Sequence, residues 1–180
     1  MFAHRIDPEL YLKLLELRDA EELFRITDNS RQHLREWLPW VDATTSVDDS
    51  RVFVQSTLNN FASNNGLNAG IWWENRLAGC IGFHSIDWSN RKTSIGYWLA
   101  QEFQGRGVMT RATRALTDLA FEHYDLNRVE IRVATNNVKS RAIPERLSFK
   151  NEGCIQEAEW LHDHFVDHVV YGVLASNWKA

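Results

Sequence analysis

Residues 104 to 110 read Gln-Gly-Arg-Gly-Val-Met-Thr and lie between a segment patterned as a strand and one patterned as a helix. A helix N-terminus exposes unpaired backbone N–H groups and the positive end of the helix dipole. Glycines such as Gly105 and Gly107 let that backbone approach an anion closely, so a phosphate fits there. Arg106 adds a positive charge and Thr110 a hydroxyl. The plain alternative is a turn that caps a helix, and two glycines alone do not separate the readings. No Gly-Lys-Ser/Thr is present, and Thr110 stands where a dinucleotide-binding turn has its third glycine. Downstream, Asn137 can cap a helix whose first turn carries Ser140. His162, His164 and His168, with Asp163 and Asp167, could suggest a metal site if 162–168 formed one straight strand. Their spacing matches no standard ligand motif. They read better as a polar loop or strand pair, and no metal is expected. Cys80 and Cys154 are too few for a disulfide framework and read as packed thiols.

These residues need positioning elements. Residues 11–17 pattern as a strand, and Asp19 with Glu22 has capping-box spacing before a helix carrying Leu23, Phe24 and Ile26. Leu34 to Trp40 reads as a short helix ending at a turn around Pro39. Ser46 and Asp49 cap a further helix with Val47, Val54, Leu58 and Phe61 at helical spacing. Segments 68–74, 77–88 and 92–99 pattern as an antiparallel meander, with turns at 75–76 and 89–91. An amphipathic helix with Ala112, Ala115, Leu116, Leu119 and Ala120 on one face follows the glycine loop. Residues 128–135 alternate as a strand, and a helix runs from the Asn137 cap to about Leu147. Strands near 153–160 and 166–174 close the chain. The strand–loop–helix–strand unit in the middle favours local parallel pairing in a mixed α/β fold.

Composition narrows the function classes. The chain has 180 residues, which suits one domain over 1–180, and no linker or repeat divides it. It carries 44% hydrophobic and 24% charged residues, a globular profile. Twenty basic against 24 acidic side chains leave a net charge of −4, so the electrostatic drive for nucleic-acid binding is missing. No apolar run nears the ~20 residues that cross a bilayer, and residues 1–7 lack a signal-peptide core. A cytoplasmic location is expected. Eight tryptophans exceed what a core alone needs, so some are expected at a cleft or subunit contact.

Gln104-x-x-Gly107-x-Met109 resembles the acyl-CoA pyrophosphate loop of the GNAT superfamily of N-acetyltransferases, with Met109 departing from the small residue usual at the last position. Ile95-Gly96-Tyr97-Trp98-Leu99 precedes the loop. Asn136-Asn137-Val138-Lys139-Ser140 and Glu145-Arg146-Leu147-Ser148-Phe149 follow it. Together with Trp37-Leu38-Pro39-Trp40 and Val166 to Tyr171, these stretches are similar to the RimJ/RimL branch, in order over nearly the whole chain. The resemblance implies a central, mostly antiparallel sheet of about seven strands with a splayed parallel pair, flanked by about four helices. It implies acetyl-CoA as cosubstrate and an amine acceptor, a protein N-terminus as in ribosomal proteins or a small amine.

The same resemblance assigns roles residue by residue. Strands 92–99 and 128–135 would splay, with Trp98, Leu99 and Ala100 offering backbone to the pantetheine or acetyl group. Residues Gln104, Gly105, Arg106, Gly107, Val108, Met109 and Thr110 would hold the pyrophosphate, and Asn137 the pantetheine arm. The Leu99 amide would be the oxyanion donor. The tyrosine that many members use as acid falls at Pro144 here, and Ser140 is the replacement the branch pattern suggests; its other reading is a helix cap. The glutamate that many members use as base falls at Ser94, so His84, Asp87 and Glu130 are the available substitutes. His84, Trp37 and Trp40 are assigned to the acceptor side, the tryptophans as acceptor wall or subunit contact. A homodimer is expected, symmetric pairs being the commonest assembly. Loss of the family's glutamate and tyrosine also leaves open a non-catalytic acyl-CoA-binding module.

Overall fold

The computed structural model describes residues 3–179. Its strands are β1 (Ala3–Arg5), β2 (Leu10–Leu14), β3 (Leu67–Trp73), β4 (Arg76–Asp87), β5 (Lys92–Leu99), β6 (Arg128–Ala134), β7 (Lys150–Leu161) and β8 (His164–Leu174). Its helices are α1 (Ala20–Asn29), α2 (Arg31–Arg35), α3 (Val47–Ala62), α4 (Val108–Glu122) and α5 (Val138–Arg146). The strands form one sheet in the order β1-β2-β3-β4-β5-β6-β8-β7. Every neighbouring pair is antiparallel except β5 and β6. This is the expected mixed fold with its parallel pair, with β1 beyond the seven strands and one helix beyond the four that the resemblance implied.

Local chemistry explains most boundaries. Ser46 and Asp49 form the reciprocal cap of α3: Asp49 N donates to Ser46 Oγ at 3.3 Å, and Ser46 N to Asp49 Oδ2 at 2.8 Å. Asn137 Oδ1 accepts from Ser140 N at 3.2 Å and starts α5. The proposed Asp19–Glu22 box is corrected. Asp19 makes no side-chain cap to α1. Its carboxylate instead accepts from Glu16 N at 2.9 Å and pairs with buried Lys13 at 2.9 Å, while Glu22 pairs with Arg25. That ties β2 to the turn at 17–19, so the strand stops at Leu14 and does not run to residue 17.

The core lies on both sides of the central strands. Ile71, Leu77, Ile81, Phe83 and Ile95 meet Leu23, Ile26 and Val54 of α1 and α3, and Val108, Ala112 and Leu116 of α4. The histidine trio is not one strand face. His162 sits in the β7–β8 turn with φ of +60°, while His164 and His168 belong to β8. Among the described residues, no group of three His, Cys, Asp or Glu side chains is placed to hold a metal. No described helix is long and apolar enough to cross a membrane.

Lys13 and Asp19 are both nearly buried, 5% and 8% exposed. Removing Asp19 leaves the buried Lys13 ammonium with only Glu16 at 3.9 Å and the Trp72 ring at 4.7 Å. Asp19→Ala should therefore cost about 3 kcal/mol. A chemical-denaturation curve should show that fall in the unfolding free energy.

Candidate functional site

The parallel pairing of β5 with β6 is short. It runs from Lys92↔Arg128 through Thr93↔Val129 to Ser94↔Glu130 and stops. Each strand continues on its other side: β5 stays paired to β4 up to Gly79↔Leu99, and β6 to β8 up to Ala134↔His168. The two strands therefore diverge as a V. Hydrogen-bond direction alternates along a strand. Ala100 N donates to Ala78 O at 2.8 Å, which assigns the Trp98 N–H to the β4 side as well. Tyr97 and Leu99 then turn their N–H and C=O groups into the opening. Of Trp98, Leu99 and Ala100, only Leu99 offers backbone there. Both Ala100 groups are engaged, since its carbonyl also accepts from Phe103 N at 3.1 Å.

The glycine loop follows directly. Gly105 and Gly107 have φ of +75° and +70°. That left-handed conformation is what demands glycine, because an added Cβ at either would meet nothing within 4 Å. Gly107 is the N-cap of α4, so the N–H groups of Val108, Met109 and Thr110 have no intrahelical acceptor. A cleft of about 1070 Å³ opens at this point, lined by Gln104, Gly105, Gly107, Val108, Met109 and Thr110. Arg106 is exposed and does not line it. Arg111 does, ion-paired to Asp7 at 2.5 Å with its guanidinium 4.8 Å over Trp73. His33 also lines the cleft, and its Nε2 lies 2.5 Å from the Gln104 amide. Pattern reading missed His33 because α2 comes to the loop only through the tertiary fold. It left Arg111 on the polar face of α4 because Asp7 and Trp73, which hold it at the cleft, are distant in sequence.

The wall opposite is α5. Asn137 and Ser140 line the cleft across from the loop. Since Asn137 Oδ1 already caps the helix, its amide NH₂ is the group left for a ligand. The Ser140 hydroxyl does not cap its own helix: it donates to Tyr97 Oη at 3.3 Å, and the cap is Asn137.

Alternation puts Ser94, Gly96 and Trp98 on the opposite face of β5 from Tyr97 and Leu99. A side chain at 96 would strike the His84 ring, so His84 stands on this second face. Glu130 and Arg132 of β6 and His168 of β8 share it. Here lies a pair that the sequence did not reveal, His168 Nε2 with Glu159 Oε2 at 3.3 Å. Of the other candidate bases, Glu130 is held by Arg128 and Arg132, and Asp87 by Asn90 in the turn after β4. Trp37 lines the cleft. Trp40 does not. It packs on Trp98 at 5.9 Å between ring centroids and is itself partly exposed.

A cleft that runs from a glycine-capped helix N-terminus to a gap in a mixed sheet defines an acyltransferase fold, and the comparisons agree. The chain belongs to the acetyltransferase (GNAT) domain family, whose model matches residues 9–150. It is 37% identical over 180 residues to YdaF of Bacillus subtilis (strain 168), provisionally named a ribosomal N-acetyltransferase, covering 99% of this chain and 98% of that protein. It is 28% identical to the ribosomal-protein-serine acetyltransferase of Escherichia coli (strain K12), covering 93% of each. Among solved structures, the ribosomal L7/L12 alpha-N-protein acetyltransferase RimL in complex with coenzyme A superposes with a TM-score of 0.93 at 26% identity, covering 96% of this chain and 98% of that one.

His33 and His84 titrate below the ordinary histidine value of 6.5. Desolvation is the main cause for both, joined by the charge of Lys139 at His33 and of Arg132 at His84. Both rings are neutral at pH 7. A group with a lowered folded pKa leaves stability intact above its unfolded value and loses it as pH falls below. The His33→Gln/His84→Gln variant should therefore lose less Tm than the parent between about pH 7.5 and 5.5. Thermal melts across that range check this.

Proposed function

We propose that this chain transfers acetyl from acetyl-CoA to the α-amino group of a protein N-terminus, by direct attack in a ternary complex. The observation that carries the reading is the opening between β5 and β6. It connects a face built for a phosphate-bearing ligand with a face built of histidines, a carboxylate and tryptophans. Acetyl-CoA enters on the α4–α5 side, with its pyrophosphate on the free N–H groups of Val108, Met109 and Thr110. Gln104, Gly105, Gly107 and Arg111 frame that anion, with Arg106 at its rim. Asn137 bonds the pantetheine arm, while Trp98 stands on the acceptor face of β5 and buried Ala100 supports the strand end. The thioester oxygen accepts from Leu99 N–H, which holds the negative charge of the tetrahedral intermediate.

The amine comes from the other face. An α-amino group has a pKa near 8, so some is already free base at neutral pH. His84 is neutral and takes the proton of the remainder, with the Glu159–His168 pair as the next acceptor. Nitrogen then bonds to the carbonyl carbon as the C=O electron pair moves onto oxygen. The positively charged nitrogen so formed gives its extra proton to solvent, and the oxyanion re-forms the C=O. The C–S bond breaks with its electron pair on sulfur, and the Ser140 hydroxyl donates a hydrogen bond to that thiolate, which takes its final proton from solvent. A polyamine is a poorer acceptor here. Glu130 is neutralised by two arginines, and Arg132 beside His84 repels a polycation. A cytoplasmic location goes with a ribosomal acceptor. We include a homodimer in the same reading, since Ile155, Trp160 and Phe165 stand exposed on the β7–β8 strand pair and a second copy would cover them.

Thiol release from acetyl-CoA, measured against N-terminal peptides, polyamines and free amino acids, tests the acceptor. Peptides should turn over fastest. Faster turnover of a polyamine would overturn the acceptor class, and no turnover with any amine would favour a binding module. Acetyl-CoA should also raise the Tm, because it binds only the folded state. Gly107→Val should abolish that rise, since a β-branched residue cannot hold the left-handed N-cap beside a phosphate.

A further inference from the structure

Pro144 lies inside α5, at the position where many members of the family carry their acidic tyrosine. A proline has no N–H, and its ring crowds the carbonyl four residues back. That carbonyl belongs to Ser140. It therefore lacks the helical donor that any other residue at 144 would supply. Tyr97 Oη fills the vacancy: it reaches across from β5 and donates to Ser140 O at 3.1 Å. With its one proton used there, the phenol oxygen is free to accept, and Ser140 Oγ donates to it at 3.3 Å. Two hydrogen bonds thus join the same two residues, one to the backbone and one to the side chain. They fix the first turn of α5 against β5 and hold the rotor of Ser140 at the cleft.

We propose that Tyr97 is a positioning residue for acetyl transfer, clamping the carbonyl that Pro144 leaves free so that the Ser140 hydroxyl is held ready for the departing sulfur. The inference rests on the reading of Ser140 as the hydrogen-bond donor to that sulfur. When the C–S bond breaks, its electron pair stays on sulfur and the Ser140 Oγ–H turns from Tyr97 Oη to it. Only the Ser140 Oγ–H to Tyr97 Oη hydrogen bond is given up; no covalent bond to Tyr97 forms or breaks, and its bond to Ser140 O stays. Burial raises the Tyr97 pKa, so the phenol keeps its proton and its donor direction toward Ser140 O. The proline that removes the family's tyrosine from α5 thereby recruits another tyrosine from the neighbouring strand, in an indirect role.

Four proteins test this: the parent, Tyr97→Phe, Ser140→Ala and the double variant. Tyr97→Phe removes the hydroxyl and keeps the ring, and the Tm rise with CoA reports that each variant is folded. Ser140→Ala should lower kcat by ~10²-fold. Tyr97→Phe should lower it about tenfold, the worth of one oriented hydrogen bond, with the KM for acetyl-CoA within about twofold of the parent. The double variant should be no slower than Ser140→Ala, because Tyr97 acts only through Ser140. Multiplying losses in the double variant would overturn the proposal. So would a folded Tyr97→Phe protein with parental kcat and a lower Tm, which is the mark of a merely structural bond. Parental kcat in Ser140→Ala would overturn the leaving-group reading itself, and the positioning role with it.

Discussion

The site depends on one interruption of backbone pairing. Two parallel strands bond for three residue pairs and then part at Ser94↔Glu130. Parting usually means fraying, because unpaired N–H and C=O groups then rely on water. Here each strand stays paired on its far side past that point, β5 to β4 from Ile95 to Leu99 and β6 to β8 from Ile131 to Ala134. The opening is rigid because both of its banks are sheet. It presents unpaired polar backbone at Tyr97 and Leu99 without the flexibility that such exposure normally brings.

Other features follow from that opening. The strand–loop–helix connection that makes β5 and β6 parallel also delivers the N-terminus of α4 to its edge, so the anion site and the acyl site are one structural unit. Alternation along β5 then separates the two substrates. Tyr97 and Leu99 face α5 and the cofactor side, while Gly96 and Trp98 face His84 and the acceptor side. The second face is closed by segments distant in sequence. His162 Nε2 contacts Arg35 O at 2.7 Å, and Arg35 pairs with Asp42 at 2.7 Å. These contacts join the β7–β8 turn to the segment that carries Trp37 and Trp40. They also give His162 a structural part in place of the metal site its neighbours suggested.

What was legible in the sequence was local. The helix start after the 104–110 loop, the Ser46–Asp49 cap and the Asn137 cap each depend on residues a few positions apart, and these boundaries form as read. The Asp19–Glu22 box failed because a buried lysine on the preceding strand outcompeted the helix for the same carboxylate. The choice among Trp98, Leu99 and Ala100 could not be read, since it depends on which edge bonds to β4, a register set across strands. Glu159 was hidden for a related reason. The β7–β8 pairing slips between Ile155 and Glu159, so no simple alternation points to it. The exposed face of β7 removes the burial pattern as well.

The central claim is that both substrates meet in the gap between β5 and β6. A crystal structure with acetyl-CoA and an N-terminal peptide tests it most directly. The thioester oxygen should lie within about 3 Å of Leu99 N, with sulfur beside Ser140 Oγ and the peptide amine on the His84 face. An acetyl group bound outside the gap, or β5–β6 pairing that continues past Ser94 and Glu130, would contradict the account.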